Sequence, residues 1–172
     1  KYGLKIEYSK EEKKLGTAGG LGLLKNKLVD DFLVMNGDVL TGLDFSEFLE
    51  FHKKTGSIAT IALNRRHVDI DFGVVELDEN RTLIGYIEKP KIDYLVSMGV
   101  YAFNESILEY IPSHEYLDIP DLMKRLHSEG EKVNGFIHDG YWLDIGRPDD
   151  YIKANEDIQK IYRQLGVSID EA

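Results

Sequence analysis

The 172-residue chain is long enough to bury one hydrophobic core, since 42% of its residues are hydrophobic, so we predict a single domain over residues 1–172. It contains no cysteine, which excludes disulfides and thiolate-bound metals and fits a reducing compartment such as the cytoplasm. Its net charge of −10 argues against a surface for polymeric nucleic acid, and no segment is apolar for long enough to span a membrane.

The first part of the chain predicts a strand, a helix and a second strand. Leu4, Ile6 and Tyr8 alternate with polar residues, as in a half-buried strand, and the sequence LGTAGGLGLLKNKL begins a helix. Residues 32–35, FLVM, are apolar throughout, which is typical of a central strand covered on both faces.

A helix and a hairpin are predicted next. The helix begins at Asp44, where Glu47 completes a capping box, and it ends at Gly56. SIATIAL then reads as a strand. The sequence FGVVELDENRTLIGYIEKP contains two strand-like runs joined by turn residues, which indicates an antiparallel hairpin.

The remaining segments complete an α/β pattern. VSMGVYAF predicts a strand, ESILEYI and IPDLMKRLHSEG two short helices, and VNGFI and YWLDI a pair of strands. A last helix is expected from about Pro148 to Leu165, with a buried stripe formed by Tyr151, Asn155, Ile158, Tyr162 and Leu165. Strands separated by helices predict a mixed, mostly parallel sheet flanked by helices, with the antiparallel hairpin as an insertion.

Two aspartates at strand ends are candidate metal ligands. Asp38 closes the run FLVMNGD, and Asp144 lies in YWLDIGRPDDY, ahead of a helix that starts at Pro148. Ligands of open α/β sheets bind beyond the carboxyl ends of the strands, where two carboxylates could share a Mg²⁺ ion. A turn residue at Asp38 and a helix cap at Asp144 explain the same pattern, and spacing by itself leaves both explanations open.

Two further segments are candidates for binding phosphate. In IEKP, the neighbours Glu88 and Lys89 share a pocket only if Pro90 bends the chain, because adjacent strand residues face opposite sides. Lys89 could then face a phosphate and Glu88 a hydroxyl group, whereas the alternative is a charged hairpin end in solvent. LGTAGG places small residues ahead of a helix and is expected to expose backbone N–H groups to a ligand, but it lacks the lysine of a Walker A loop.

Other candidates have simple structural explanations. The sequence NRRH, residues 64–67, is a small basic cluster that could meet phosphate or could be a solvated strand end. The five histidines lack metal-ligand spacing and are expected at the surface or in the core. Tyr141 and Trp142 are expected to pack at the end of the sheet, with stacking on a sugar as the alternative.

Six segments of the chain, taken in order, resemble the sugar nucleotidyltransferases, most of all members of the mannose-1-phosphate guanylyltransferase type. They are LGTAGG, FLVMNGD, FGVVELDEN, IEKP, SMGVYAF and YWLDIGRPDDY. The resemblance extends from about Lys1 to Ala154 and implies the Rossmann-like fold of nucleotide-diphospho-sugar transferases. It also implies a Mg²⁺ cofactor and transfer of a nucleoside monophosphate from an NTP to a sugar 1-phosphate, with release of pyrophosphate. Formation of a homo-oligomer is left open.

The resemblance also implies roles for individual residues. Asp38 and Asp144 would hold the Mg²⁺ ion, and Lys89 would contact the sugar phosphate as the third catalytic residue. The implied substrate-binding residues are Gly16, Thr17 and Gly19 beside the nucleobase, Glu88 at the sugar hydroxyls, and Gly73, Ser97 and Gly99 near the sugar.

The chain departs from the family pattern in ways that limit the resemblance. The family normally opens with an arginine-containing, glycine-rich loop for the triphosphate, which this sequence lacks, so we expect an N-terminally truncated chain with little or no turnover by itself. Ser97 stands where relatives that handle mannose-like sugars often have Asn, and Gly19 stands where thymidylyltransferases carry Gln. The resemblance favours GTP with a mannose-1-phosphate-like sugar, and the nucleobase and the sugar stay open.

Two alternatives to an enzyme of this family follow from the same residues. One is a non-catalytic regulatory or sugar-nucleotide-binding domain of the same fold. The other is a glycosyltransferase, which is disfavoured because its usual D-x-D motif is absent at Asp38, where the sequence is NGD.

Overall fold

The computed structural model describes residues 3–164, with side chains up to residue 157. The strands are β1 Asp31–Met35, β2 Val39–Thr41, β3 Ala59–Asp69, β4 Val74–Leu77, β5 Leu83–Ile87, β6 Lys91–Asn104, β7 Val133–Ile137 and β8 Trp142–Asp144. The helices are α1 Gly16–Gly19, α2 Phe45–Thr55, α3 Ile119–Ser128 and α4 Pro148–Gln164, and two 3₁₀ helices span Gly20–Leu24 and Glu105–Tyr110. Across this range, no helix is both long and apolar enough to cross a membrane.

A four-stranded sheet in the order β1-β6-β3-β7 organises the fold. β6 is antiparallel to both of its neighbours, whereas β3 and β7 are parallel. The predicted mixed sheet flanked by helices is therefore confirmed. Strands β1, β3 and β7 run in the same direction, as expected for a mostly parallel sheet. The expectation is wrong for the hydrogen-bonded pairs, because β6 lies between β1 and β3 and runs in the opposite direction.

The two inner positions of this sheet belong to β6 and β3, not to residues 32–35. Within the described residues β1 is an edge strand, and Leu33 and Met35 on one of its faces are 38% and 49% exposed. Only Phe32 and Val34 pack against the core. An apolar run therefore identified a strand but could not distinguish an edge from the centre.

Two hydrophobic clusters cover the two faces of β6. Tyr101 and Phe103 belong to the cluster that α3 completes with Leu122 and Leu126. Residues Val100 and Ala102 point to the opposite face, toward Phe48 of α2, as the period of two in a strand requires. The two faces of β6 therefore contribute to separate clusters.

Two small sheets flank the main one. β4 and β5 form the predicted antiparallel hairpin. The predicted pairing of VNGFI with YWLDI is wrong, because β7 pairs with β3 and β8 pairs with β2. The partner of β8 is the short segment just after Asp38, which sequence patterns did not identify as a strand.

The helix boundaries follow local chemistry. The carboxylate of Asp44 accepts hydrogen bonds from the backbone N–H groups of Ser46 and Glu47, and Gly56 ends α2 with a left-handed φ of 57°. The predicted glycine-rich helix reduces to α1 and the 3₁₀ turn after it, in line with the low helix propensity of glycine. The predicted helix ESILEYI is likewise a 3₁₀ helix.

Both ends of the chain differ from prediction. Leu4, Ile6 and Tyr8 are exposed and form no strand, since no described strand lies beside them. Helix α4 begins at Pro148 as expected and contacts β8. Its predicted stripe is wrong at Tyr151, which is 62% exposed, and at Asn155, which is also exposed, because the buried face passes through Ala154, which is 6% exposed. The side chains of Ile158 and Tyr162, and Leu165 altogether, lie outside the described residues.

Candidate active site

Asp38 and Asp144 are brought together by the pairing of β2 with β8. Asp144 is the register partner of Val39, and the Ile145 N–H donates to the Asp38 carbonyl oxygen at 2.8 Å. Both side chains are exposed, and neither carboxylate makes a hydrogen bond or ion pair within the described residues. The cap explanation for Asp144 is not supported, because no backbone N–H of the first turn of α4 donates to it; those of Asp150 and Tyr151 donate to the Arg147 carbonyl oxygen.

A bulge in β6 places Gly99 against the turn that carries Asp38. The register passes from Ile61 opposite Tyr101 to Leu63 opposite Ser97, so that three residues of β6 oppose one residue of β3. Gly99 has a left-handed φ of 73°, and its carbonyl oxygen accepts the Asn36 N–H at 2.9 Å. This φ favours glycine, and a Cβ at this position would also crowd Asn36 Nδ2 at 2.7 Å and Val39 Cγ2 at 3.2 Å.

Ser97 makes two hydrogen-bond contacts within the bulge. Its hydroxyl lies 3.0 Å from the Tyr101 hydroxyl and accepts the Gly99 N–H at 3.3 Å. Ser97 thus lies beside Gly99, as expected for a shared site, and its hydroxyl is already engaged with neighbouring residues of β6.

Trp142 ties β8 to the same bulge. Its indole N–H donates to the Met98 carbonyl oxygen at 3.0 Å, and the Arg66 guanidinium carbon lies 4.8 Å from the centre of its ring. A cleft of about 340 Å³ beside it is lined by Arg66, Trp142, Asp144 and Arg147 among others. Asp144 therefore lines a cleft that also contains two arginines and a second acid, Asp150.

The glycine-rich segment packs against the start of α3. The Thr17 N–H donates to the Asp118 carboxylate at 2.9 Å, and the N–H groups of Ala18 and Gly19 share the Leu117 carbonyl oxygen. The expectation that this turn exposes N–H groups to a ligand is therefore wrong for these three residues, because the chain itself satisfies them. Gly16, with a φ of 78°, has no room for a Cβ, which would lie 2.6 Å from the Leu117 carbonyl oxygen.

Asp118 anchors this packing. Hydrogen bonds from the Tyr116 hydroxyl and then from the Thr17 N–H hold the pKa of its carboxyl below the ordinary value. Thr17 and Asp118 line a cleft of about 320 Å³ together with Asn36 and Tyr101. The glycine-rich segment thus faces the NGD turn through the side chain of Thr17.

The IEKP segment bends as predicted. β5 ends at Ile87, and Lys89 has a left-handed φ of 45°, a conformation that costs a non-glycine residue roughly 1–2 kcal/mol. Glu88 accepts a hydrogen bond from the Tyr86 hydroxyl at 3.0 Å. Gly73 lies directly against this pair, since a Cβ there would overlap the Tyr86 hydroxyl, so Gly73 and Glu88 are neighbours.

The structure places the predicted site residues in two groups. Gly73, Glu88 and Lys89 lie at the hairpin end, whereas Ser97 and the rest lie at the end of the sheet. The extended segment from Lys91 to Ser97 separates the groups by up to about 20 Å, and no hydrogen bond or ion pair connects them within residues 3–157. Apolar side chains of the hairpin, including Leu83 and Ile84, are exposed, so the hairpin is not packed against the sheet end.

Two residues of this region were not among the predicted site residues. Asn36 contacts the β6 bulge, and its position in the quoted NGD run was the available signal. Asp118 precedes Ile119 and Pro120 as a helix N-cap would, yet its carboxylate bonds to Thr17, about a hundred positions away. No local pattern reveals such a distant partner.

Comparisons with known proteins agree with this architecture. A family model described as nucleotidyl transferase matches residues 1–161. A mannose-1-phosphate guanylyltransferase of Mycobacterium tuberculosis is 33% identical over 162 residues, covering 91% of this chain and 45% of the relative. The bifunctional protein GlmU of Methanococcus maripaludis is 34% identical over 176 residues, covering 96% of this chain and 41% of the relative. The chain thus spans less than half the length of these relatives.

Solved structures show the same fold. A putative glucose-1-phosphate thymidylyltransferase from Bacillus anthracis, in complex with a sucrose, superposes with a TM-score of 0.69 at 24% identity, covering 97% of this chain and 71% of that chain. HddC from Yersinia pseudotuberculosis gives a TM-score of 0.62 at 25% identity, covering 86% and 64%. From the match over residues 1–161 and the shared fold, the chain belongs to the nucleotidyl transferase family.

Proposed function

We propose that this chain carries the metal-binding end of a sugar-1-phosphate nucleotidyltransferase. The observation that carries the proposal is the pairing of β2 with β8, which places Asp38, in the turn just before β2, beside the β8 strand that ends at Asp144. Neither carboxylate has a structural partner that would explain it within the described residues. Residues 1–172 would form a single domain in this enzyme.

The donors at this position fit a magnesium ion. Mg²⁺ favours oxygen ligands, usually takes only one or two carboxylates from the protein, and fills its remaining positions with water and substrate phosphate. Asp38 and Asp144 supply two exposed carboxylates, and the described residues contain no cluster of three or more potential ligands that would favour another metal. When bound, the ion would draw negative charge from the α-phosphate of the nucleotide.

The reaction would be an in-line phosphoryl-group transfer. An oxygen of the sugar 1-phosphate forms a bond to the α-phosphorus of the NTP, the bond from that phosphorus to the oxygen bridging to the β-phosphate breaks, and pyrophosphate leaves with the electron pair. The protein needs to align the two anions and reduce their repulsion. Lys89 would contribute positive charge at the sugar phosphate, and Glu88 would accept hydrogen bonds from sugar hydroxyls.

The glycines and their neighbours would shape the substrate pockets. Gly73 and Gly99 would lie near the sugar, and Ser97, whose hydroxyl accepts the Gly99 N–H, would support Gly99. The cleft between Thr17 and Asn36 would receive the nucleobase, with Gly16 and Gly19 setting the position of Thr17. The hairpin group would have to approach the sheet end for Lys89 and the metal to act on one substrate pair.

GTP and a mannose-1-phosphate-like sugar are the proposed substrates. Two observations support them: the mannose-1-phosphate guanylyltransferases among the relatives, and Gly19 in place of the Gln of thymidylyltransferases. The enzyme would act in the cytoplasm, which the absence of cysteine supports. The 172-residue chain by itself would turn over little or not at all, and a non-catalytic domain that binds a sugar nucleotide is the second candidate.

The test is release of pyrophosphate by the gene product that carries this chain, with a panel of NTPs and sugar 1-phosphates in Mg²⁺. We expect activity that Asp38→Asn or Asp144→Asn abolishes, while the control Asp121→Asn, which removes a surface partner of Lys124, retains it. An active Asp38→Asn/Asp144→Asn double variant would remove the metal assignment. Binding of a sugar nucleotide without turnover would favour the second candidate, and rapid turnover by residues 1–172 would refute their inactivity.

A further inference from the structure

Arg66 is held in place by an aromatic ring rather than by an acid. Its guanidinium carbon lies 4.8 Å from the centre of the Trp142 ring, within the range of a cation–π contact. Trp142 is itself fixed, because its indole N–H donates to the Met98 carbonyl oxygen and its ring packs on the cluster around Phe48. The position of the guanidinium is therefore defined although the side chain is exposed.

The neighbouring arginine provides a contrast. Arg65 Nε lies 3.1 Å from an Asp139 carboxylate oxygen, which neutralises it at the surface. Arg66 makes no hydrogen bond or ion pair with any described residue. Stacking uses the face of the guanidinium and leaves the N–H groups at its edge available to an oxyanion.

Arg66 lines the cleft of a candidate metal ligand, together with a second acid, Asp150. Trp142 and Asp144 are two residues apart on β8 and so project from the same face of the strand, roughly 7 Å apart along it. Arg66, Asp144 and Arg147 line one cleft of about 340 Å³. An unpaired guanidinium in a chain of net charge −10 is a suitable partner for a phosphate that also meets a cation at Asp144.

We propose that Arg66 is a substrate-binding residue that contacts a phosphate oxygen at the metal edge, with Trp142 as the platform that positions it. This inference rests on the proposed function, because it assigns the phosphate to the same site. The chemistry is that of a phosphate dianion or a phosphoanhydride, which two sources can supply: the sugar 1-phosphate or the pyrophosphate part of the nucleotide.

The test compares Arg66→Gln, Arg66→Lys and the matched control Arg65→Gln in the gene product that carries this chain. Binding of inorganic pyrophosphate and of a hexose 1-phosphate is measured separately by calorimetry in Mg²⁺, with circular dichroism to check folding. We expect Arg66→Gln to weaken binding of one probe about 10- to 100-fold, as for a lost hydrogen bond to a charged group. Arg66→Lys should recover part of the loss, and Arg65→Gln should bind as the unsubstituted protein does.

The probe that weakens identifies the source of the phosphate. Equal affinities for Arg66→Gln and the unsubstituted protein with both probes would overturn the assignment of Arg66. If Asp144→Asn still abolishes turnover in that case, the proposed function stands without it. Failure of the unsubstituted protein to bind either probe would also overturn the assignment of Arg66, whereas the proposed function is decided separately by the release of pyrophosphate.

Discussion

Gly99→Ala tests whether the β6 bulge holds the NGD turn in place. An alanine Cβ would lie 2.7 Å from Asn36 Nδ2 and 3.2 Å from Val39 Cγ2, at a φ of 73° that disfavours any side chain. The left-handed conformation costs roughly 1–2 kcal/mol and overpacking of a buried position roughly 1–3 kcal/mol, so the free energy of unfolding should fall by about 2–5 kcal/mol.

The matched control is Gly130→Ala. Gly130 has a similar φ of 81°, but its Cβ would meet no atom within 4 Å. Only the conformational term applies there, so the expected loss is roughly 1–2 kcal/mol. Urea denaturation followed by circular dichroism measures both variants, and the difference between them isolates the contact with the NGD turn.

A double-mutant cycle identifies the contact itself. Asn36→Ala removes the atoms that the new Cβ would meet first, so Gly99→Ala should cost less in that background. Equal losses for Gly99→Ala and Gly130→Ala, together with no coupling to Asn36, would refute the close approach of β6 to the turn that carries Asp38.

Two further predictions concern Lys89 and His52. Lys89→Ala and Lys89→Gly should both lower kcat/KM for the sugar 1-phosphate by an amount equivalent to about 2 kcal/mol, because both remove the charge. Only the glycine variant should be more stable to urea, since glycine relieves the strain of the positive φ. Unchanged kinetics in both variants would mean that the phosphate binds elsewhere. Burial lowers the pKa of His52, which is 1% exposed, from its ordinary 6.5, although Asp31, 3.6 Å away, acts to raise it. The fold therefore favours neutral His52, so the free energy of unfolding should be highest above pH 6.5 and fall as the pH drops below it. His52→Gln should flatten this dependence of stability on pH, whereas the exposed control His67→Gln should not. An unchanged slope in His52→Gln would contradict the role of His52 in the pH dependence.

The elements that the sequence predicted well are those with strong local signals. The start and end of α2 follow from Asp44 and Gly56, and the hairpin follows from two β-rich runs with turn residues between them. The bend at Lys89 was expected from Pro90. In each case, the residues that determine the structure lie within a few positions of it.

The incorrect predictions concern long-range pairing. Residues 32–35 and VSMGVYAF are similar apolar runs, yet only the second forms an inner strand of the sheet. It has a strand on each side, and both of those strands come from distant parts of the chain. The pairing of β8 with β2 rather than β7 has the same origin. The N–H groups of LGTAGG were expected to be free, but Leu117 and Asp118 satisfy them, and their distance in sequence hides that contact.

The proposed metal site depends on the same long-range pairing. β2 and β8 are each three residues long, too short for such a ribbon to be stable in isolation. Their support comes from the β6 bulge, which accepts the Asn36 N–H before β2 and the Trp142 indole N–H in β8. Both aspartates are therefore positioned through β6, a strand that carries neither of them. It follows that substitutions at Met98 or Gly99 should disturb Asp38 and Asp144 together, whereas a change at either aspartate should leave the bulge intact.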